Sequence, residues 1–415
     1  MVFDARLGGN PYLKGKMIEP LKIEGNEKVS DFISNVFGNS GYNARRLAEA
    51  CEIYSRMIKE DATICLTLAG AMTPIGMGGV ITGLIKKGFI DFIITTGANI
   101  YHDMHRCFNY PVVQGDFNVD DEDLLKHGVA RIYDVFIDDS DTMLSTDTVI
   151  VRAVEEYDWS KPVSTAKFHK FLGDIVLKKA PHPEKSFLAV AAEHNVPVYT
   201  SSPGDSSIGM NILFPYLFGE KITLDPILDV FETTSIVRAA KKNGVIIIGG
   251  GSPKNFYLQT QPTLWQILLD SRGGHDYFVQ LTTDSPQWGG LSGATPQEAK
   301  SWGKVKNAKK SNAVVYSCAS ITFPLLAQYA SMNEKPRQHK ELYTKLPQLK
   351  EELFKAVLSN NELKKRVMME TKPETYNLIY EKFFGQQTTP YSPAAAGDKP
   401  PNMQRNINNE DKKQG

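Results

Sequence analysis

Apolar positions first gather into a helical pattern between about Ala44 and Lys59, where Leu47, Ala50, Cys51, Tyr54, Met57 and Ile58 recur three and four residues apart and so share one face. Beyond it, short β-branched runs alternate with helical stretches. Thr63–Leu68 (TICLTL) and Asp91–Thr96 (DFIITT) flank a glycine-rich turn and a helical run over Val80–Lys87, which predicts a βαβ unit with parallel strands and a right-handed crossover. Arg131–Ile137, Val196–Thr200, Val245–Ile248, Tyr277–Thr282 and Ala313–Ser317 continue the series. Such an alternation predicts an α/β fold, a doubly wound, mostly parallel, Rossmann-like sheet. The more charged stretch from about Ser140 to His194 is expected to pack against that sheet as a helical insertion.

After about Met332 the pattern changes. Leu346–Phe384 is helical and charged, and the residues that follow are rich in Pro, Gln and Asn, a composition too poor in apolar surface to order itself. The chain therefore divides into a folded unit over 1–335, a helical extension over 336–385 and a tail over 386–415 expected to be disordered.

Composition narrows the function. The 415 residues carry 47 basic and 47 acidic side chains, a balance that argues against a polyanion partner such as nucleic acid or an acidic membrane surface. No run approaches the roughly 18 apolar residues of a membrane span, and the N-terminus shows no export signal. Cys51, Cys65, Cys107 and Cys318 are widely spaced without a C-x-x-C pair, so neither a disulfide framework nor a structural zinc site is indicated. A cytoplasmic location is the expectation.

Three glycine-rich turns follow predicted strands: Ala69–Gly79, Gly97–Asn99 and Gly249–Ser252. None spells G-x-G-x-x-G. Each alone reads as a tight turn, but three on one sheet edge point toward a nucleotide site, where glycine admits close backbone approach and helix N-termini attract anionic groups. In YHDMHR, His102 and His105 are helical neighbours able to share a metal. Further ligands have no local signature, so no metal site is assigned.

The segment Thr282–Lys306 carries the most chemistry. Thr295-Pro296-Gln297-Glu298 has the form of a capping box, which by itself explains Glu298. Lys304 follows Trp302 by two residues; an indole wall that desolvates the ammonium would lower its pKa and favour a Schiff-base nucleophile, whereas a lysine on a helix is more often a solvated charge.

These segments together resemble the deoxyhypusine synthase family. The resemblance is carried by Ser40–Arg46 (SGYNARR), Thr95–Asp103 (TTGANIYHD), Arg131–Asp138 (RIYDVFID), Gly204–Gly209 (GDSSIG), Gly249–Lys254 (GGGSPK), Ser292–Lys304 (SGATPQEAKSWGK) and Phe323–Leu326 (FPLL), in order from about residue 30 to 330. It implies that residues 1–335 are an NAD-binding catalytic domain that oxidises a polyamine such as spermidine, holds its aminobutyl group as an imine on Lys304, and passes it to an acceptor amine. Trp302 and Glu298 match the family's substrate-lining residues. Gly70, Ala71, Pro74, Thr96, Gly97, Ala98, Asp205, Gly250, Thr283, Asp284, Cys318 and Ala319 fall where such enzymes hold NAD. His102 joins them, in place of a usual glutamate. A homotetramer with active sites between subunits is also implied.

The departures lie in amine recognition. Met210, Leu291 and Asn255 stand where the family has carboxylates and a histidine that grip ammonium groups, and Trp288 and Cys318 replace usual acidic residues. Removing the partner of a buried cation costs several kcal/mol, so altered amine choice is expected, with Trp288 and Trp302 supplying cation–π contacts. Three readings follow: aminoalkyl transfer to a small amine, as in homospermidine synthases; true deoxyhypusine synthesis on a translation-factor lysine; or a non-catalytic NAD-binding tetramer.

Overall fold

The computed structural model describes residues 15–306 and 311–370, together with positions 374, 377, 378 and 381. The tail over 386–415 and part of the extension before it lie outside the described residues.

Among the described residues nine strands form two sheets: β1 (Thr63–Leu68), β2 (Phe92–Thr95), β3 (Val112–Gln114), β4 (Val129–Ile132), β5 (Val135–Asp138), β6 (Val198–Thr200), β7 (Asn243–Ile248), β8 (Tyr277–Thr282) and β9 (Asn312–Tyr316). Six pair in the order β6-β2-β1-β7-β8-β9, every pairing parallel. The chain winds outward from β1 through β2 to β6, then returns to the other side of β1 and winds through β7, β8 and β9. That is the doubly wound order in which a crevice opens at the switch point, between the carboxyl ends of β1 and β7.

Alternate residues on β1 and β7 serve two apolar layers, as the period of a strand requires. Ile64, Leu66, Ile246 and Ile248 face one layer with Leu47, Tyr54 and Met57 of the helix Tyr42–Lys59. Cys65, Val245 and Ile247 face the other, with Tyr257, Leu258 and the leucines 342, 346 and 353. Both strands are buried at every position, which explains why they are mostly apolar without alternation. The helices Ser145–Glu156, Thr165–Lys179 and Phe187–Glu193 add Ile150, Phe168 and Phe187 to the first layer, so the insertion packs as expected. The helix Leu342–Ser359 docks on the second layer, with Lys350 paired to Glu232 at 3.0 Å.

One expected strand is corrected. Arg131–Ile137 reads as a single buried parallel run, but the chain reverses at Tyr133, whose φ is 57°. It gives the antiparallel hairpin β4–β5, which pairs with β3 in a separate sheet. Alternation between half-buried and buried positions in β5 fits a sheet covered on one face.

Candidate functional site

At the carboxyl end of β1 the chain turns through Gly70–Met77 before the helix Gly97–Cys107 begins one strand away. Asn99, on the first turn of that helix, holds the two together. Its Oδ1 accepts from the amides of Met72 and Thr73, both at 3.2 Å, while Nδ2 donates to the Gly70 carbonyl at 2.9 Å and to Thr96 Oγ1 at 3.0 Å. Arg106 donates to the carbonyls of Thr73, at 2.8 Å, and Pro74. Asn99 is buried, and a buried amide with its bonds satisfied fixes a loop that has little apolar packing of its own.

The fixed loop borders a cavity of about 310 Å³ lined by Gly70, Ala71, Pro74, Thr96, Ala98, Asn99, His102, Ile132 and Asp205. Seven of these are residues singled out in the sequence. Asn99 and Ile132 were not, although Asn99 stands in the TTGANIYHD block and Ile132 in RIYDVFID; nothing local distinguishes a loop-holding Asn from a surface one.

Gly97 and Gly250 are not among the cavity-lining residues. A Cβ on Gly97 would meet Ser206 Oγ at 2.2 Å, and one on Gly250 would meet the Ser292 Cα at 2.4 Å. Their own chain fills the space that a side chain would take. Thr283 and Asp284 follow β8, and Cys318 and Ala319 follow β9. They sit on the same sheet edge, two and three strands from β1, which at the usual strand spacing is about 10–14 Å. Cys318 is exposed, and a bond to Ser320 Oγ at 2.9 Å draws its thiol pKa down.

The second group of residues surrounds Lys304. Thr295 caps the helix Pro296–Ser301 by accepting from the Glu298 amide at 3.1 Å. Gly303 then turns the chain, so that the Lys304 amide donates to the Ala299 carbonyl at 3.0 Å. The Lys304 Nζ lies 5.6 Å from the Trp302 ring centroid and donates to Asn255 Oδ1 at 3.3 Å. Burial lowers the Lys304 pKa, and the charge of Glu298 opposes that shift. Trp302, Asn255 and Glu298 are thus brought to the lysine. Trp288, Leu291 and Met210 are 71%, 50% and 69% exposed on the isolated chain.

Lys254 is the residue that sequence reading passed over. Although buried, its Nζ donates to Gln280 Oε1 at 3.0 Å and to the carbonyls of Ser292 and Ala294 at 3.1 and 2.6 Å. Gln280 in turn donates to the carbonyls of Gly249 and Ser292 at 2.8 and 2.6 Å. Burial brings the Lys254 pKa down to about 8, offset by Glu298 and Asp284. The knot ties the turn after β7 to the strap that leads into the Lys304 helix. The only signal available was the lysine ending GGGSPK, where an apolar sheet leaves an ammonium no solvent.

His102 and His105 bond each other, Nδ1 to Nε2 at 2.9 Å. Among the described residues no group of three or more His, Cys, Asp or Glu could hold a metal ion. No described helix is long and apolar enough to cross a membrane.

Comparison with known proteins gives the family. The deoxyhypusine synthase family model matches residues 33–330. A deoxyhypusine synthase-like protein of Nostoc punctiforme is 42% identical over 355 residues, covering 83% of this chain and 90% of its own. One of the same description from Thermosynechococcus vestitus is 41% identical over 349 residues, covering 81% and 86%. A solved structure from Entamoeba histolytica, described as a candidate deoxyhypusine synthase, superposes with a TM-score of 0.50 over 77% of this chain and 99% of its own; at 17% identity it bears on the fold alone. With matches of this extent, the chain belongs to the deoxyhypusine synthase family, a family of transferases.

Proposed function

We propose that the protein transfers an aminobutyl or related aminoalkyl group from a polyamine, through an imine on Lys304, to a small amine acceptor, with NAD as cofactor. The observation that carries this reading is the Lys304 ammonium, partly desolvated beside the Trp302 ring, with its pKa lowered. A lowered pKa raises the fraction of free amine at neutral pH, and only the free amine is a nucleophile.

The residues present fit NAD. The cavity lies beside the switch point, small side chains at Gly70, Ala71 and Ala98 leave its space open, and the N-terminus of the helix Gly97–Cys107 favours a polar or anionic group there. Its volume is at the lower end of the roughly 300–1,000 Å³ of ligand pockets, room for part of a dinucleotide. Gly70, Ala71, Pro74, Thr96, Ala98, His102 and Asp205 would hold that part. Thr283, Asp284, Cys318 and Ala319 continue along the edge. The chemistry NAD supplies when bound is a reversible store for a hydride, which balances the electrons of the transfer.

Lys304 Nζ attacks the oxidised carbon of the donor and forms the imine, releasing the amine fragment. Trp302 faces the cationic carbon–nitrogen group, and Asn255 holds Nζ in line. Attack by the acceptor amine then frees Lys304. Asn255, Met210 and Leu291 present no carboxylate to an ammonium, which favours an amine other than spermidine in at least one of the two positions. Asp284 and Glu298 remain as local negative charge.

The exposed apolar side chains of Met210, Leu213, Phe214, Leu217 and Phe218 on one face support assembly as a homotetramer with the sites between subunits. Four free thiols fit a reducing cytoplasm. Neither nucleic acid nor membrane is proposed as a partner.

The test is incubation with NAD and putrescine, spermidine or agmatine, with separation of products and borohydride trapping. A new polyamine and a reduced adduct on Lys304 are expected. Labelling of a translation-factor lysine instead would establish deoxyhypusine synthesis; NAD binding with neither product nor adduct would establish a binding protein and sink the transferase reading.

A further inference from the structure

The His102–His105 pair is part of a longer chain of hydrogen bonds that fixes where its protons sit. Thr146 Oγ1 lies 2.8 Å from the Thr142 carbonyl, which can only accept, so the one hydroxyl proton goes there. The 2.8 Å contact between Thr146 Oγ1 and His105 Nδ1 therefore needs its proton from His105. A neutral His105 protonated at Nδ1 has a bare Nε2, and the 2.9 Å contact to His102 Nδ1 then needs its proton from His102. What remains on a neutral His102 is a bare Nε2. Both rings stay neutral near pH 7: burial lowers the His102 pKa to about 4, aided by Arg106, and the His105 pKa to about 3. The carboxylate of Asp103 on the same helix is turned away, onto Ser186 Oγ and the Phe187 and Leu188 amides, and Asp147 is bonded to Asn211. Tyr101 meets both imidazoles edge-on.

We propose that His102 Nε2 is a dedicated hydrogen-bond acceptor for an N–H donor bound in the Gly70–Asp205 cavity, its tautomer imposed by the positioning residues His105 and Thr146. His102 lines that cavity with one ring nitrogen committed inward to His105. The donors that suit a bare imidazole nitrogen there are a carboxamide NH₂ or a protonated amine. This ligand assignment rests on the cavity reading given above; the tautomer assignment does not.

Solid-state NMR of the full chain labelled with 15N-histidine reads the tautomer directly, with His102→Gln and His105→Gln assigning the signals. His102 is expected to carry its proton on Nδ1, the minor tautomer of free imidazole, with Nε2 at the shift of a bare nitrogen. Thr146→Val should mix the tautomers of both rings, and Thr146→Ser, which keeps the hydroxyl, should restore the single state and guards against simple misfolding of the valine variant. A proton on Nε2 in the native protein, or an unchanged His102 signal in a folded Thr146→Val, overturns the proposal. NAD and putrescine are then added separately. An upfield shift of the bare nitrogen with the first identifies the carboxamide as donor and with the second the amine; no shift with either removes the ligand part. Amine transfer lost while the tautomer holds would sink the transferase reading alone, whereas a protonated Nε2 in a working transferase would sink this proposal alone.

Discussion

The two edges of the main sheet are built to opposite ends. At the amino edge, polar groups are paired with one another. Asp91, buried ahead of β2, accepts from the Ile64 amide at 2.8 Å and from Arg337 at 2.6 Å, and Arg337 also donates to the carbonyls of Gly88 and, at 2.7 Å, Ala62. Asp276, ahead of β8, accepts from the Asn243 amide at 2.9 Å and from Lys306 at 2.6 Å. At the carboxyl edge the same residue types are spent on shape. Asn99, Arg106, Lys254 and Gln280 bond mainly to loop carbonyls and amides, holding turns that leave the cavity open, while the Lys304 backbone itself joins His275 ahead of β8, its carbonyl accepting from the His275 amide at 2.9 Å. One edge is locked for stability and the other is braced around an opening, the cavity lined by Gly70, Thr96, His102 and Asp205.

Breaking the candidate nucleophile, the locked edge and the braced edge separately sharpens the contrast. Lys304→Ala should lower amine transfer by at least about 10³-fold, because a missing nucleophile cannot be replaced by positioning. NAD binding, read by quenching of tryptophan fluorescence, should survive; a variant with undiminished turnover would remove Lys304 from the chemistry. Elsewhere on the amino edge, Asp91→Ala leaves the buried Arg337 guanidinium only the exposed Asp61 carboxylate, at 3.3 Å, in place of its buried partner. A loss of about 3–5 kcal/mol in urea unfolding is expected, with borohydride trapping at Lys304 unchanged in the protein that remains folded.

Smaller effects test the braces. Asn99→Ala orphans the Thr73 amide and leaves the Met72 amide and the Gly70 carbonyl only their bond to each other at 3.0 Å, so NAD affinity should fall by about 10-fold, from about 1–3 kcal/mol of unmade bonds, while the Lys304 adduct still forms when NAD is in excess. Equal affinity in the variant would mean that the loop holds its shape unaided. Glu298→Gln should have the least effect, and in a defined direction. Glu298 raises the Lys304 pKa against the lowering by burial, so removing its charge lowers that pKa further. The rate of imine formation, which rises with pH as Lys304 loses its proton, should then rise at lower pH than in the native protein. A displacement to higher pH would show that Glu298 acts on Lys304 in some other way.

Several of these features are legible along the chain. TICLTL, DFIITT and YFVQLT are short, mostly apolar and rich in β-branched residues with no alternation of polar and apolar positions, as burial on both faces of a parallel sheet requires. The S-W-G-K run places an indole two residues before a lysine, and the structure keeps the two side chains together because Gly303 turns the chain between them with a φ of 68°. RIYDVFI is a run whose local pattern misleads. Its seven residues have the composition of one strand, and only the left-handed Tyr133 divides them into a hairpin. Lys254 and Asn99 show another: what makes each important is a set of carbonyls and amides up to 40 residues away in the chain.

The sequence by itself determined the class of fold and singled out Lys304 as the candidate nucleophile, because strand patterning is local information and the S-W-G-K run carries the family resemblance. Tertiary structure alone decided which predicted cofactor residues share a cavity, which glycines merely make room for their own chain, and where the His102–His105 protons reside. Those outcomes depend on distances between segments far apart in the chain, and a hydrogen bond has no sequence signature until folding brings its donor to its acceptor.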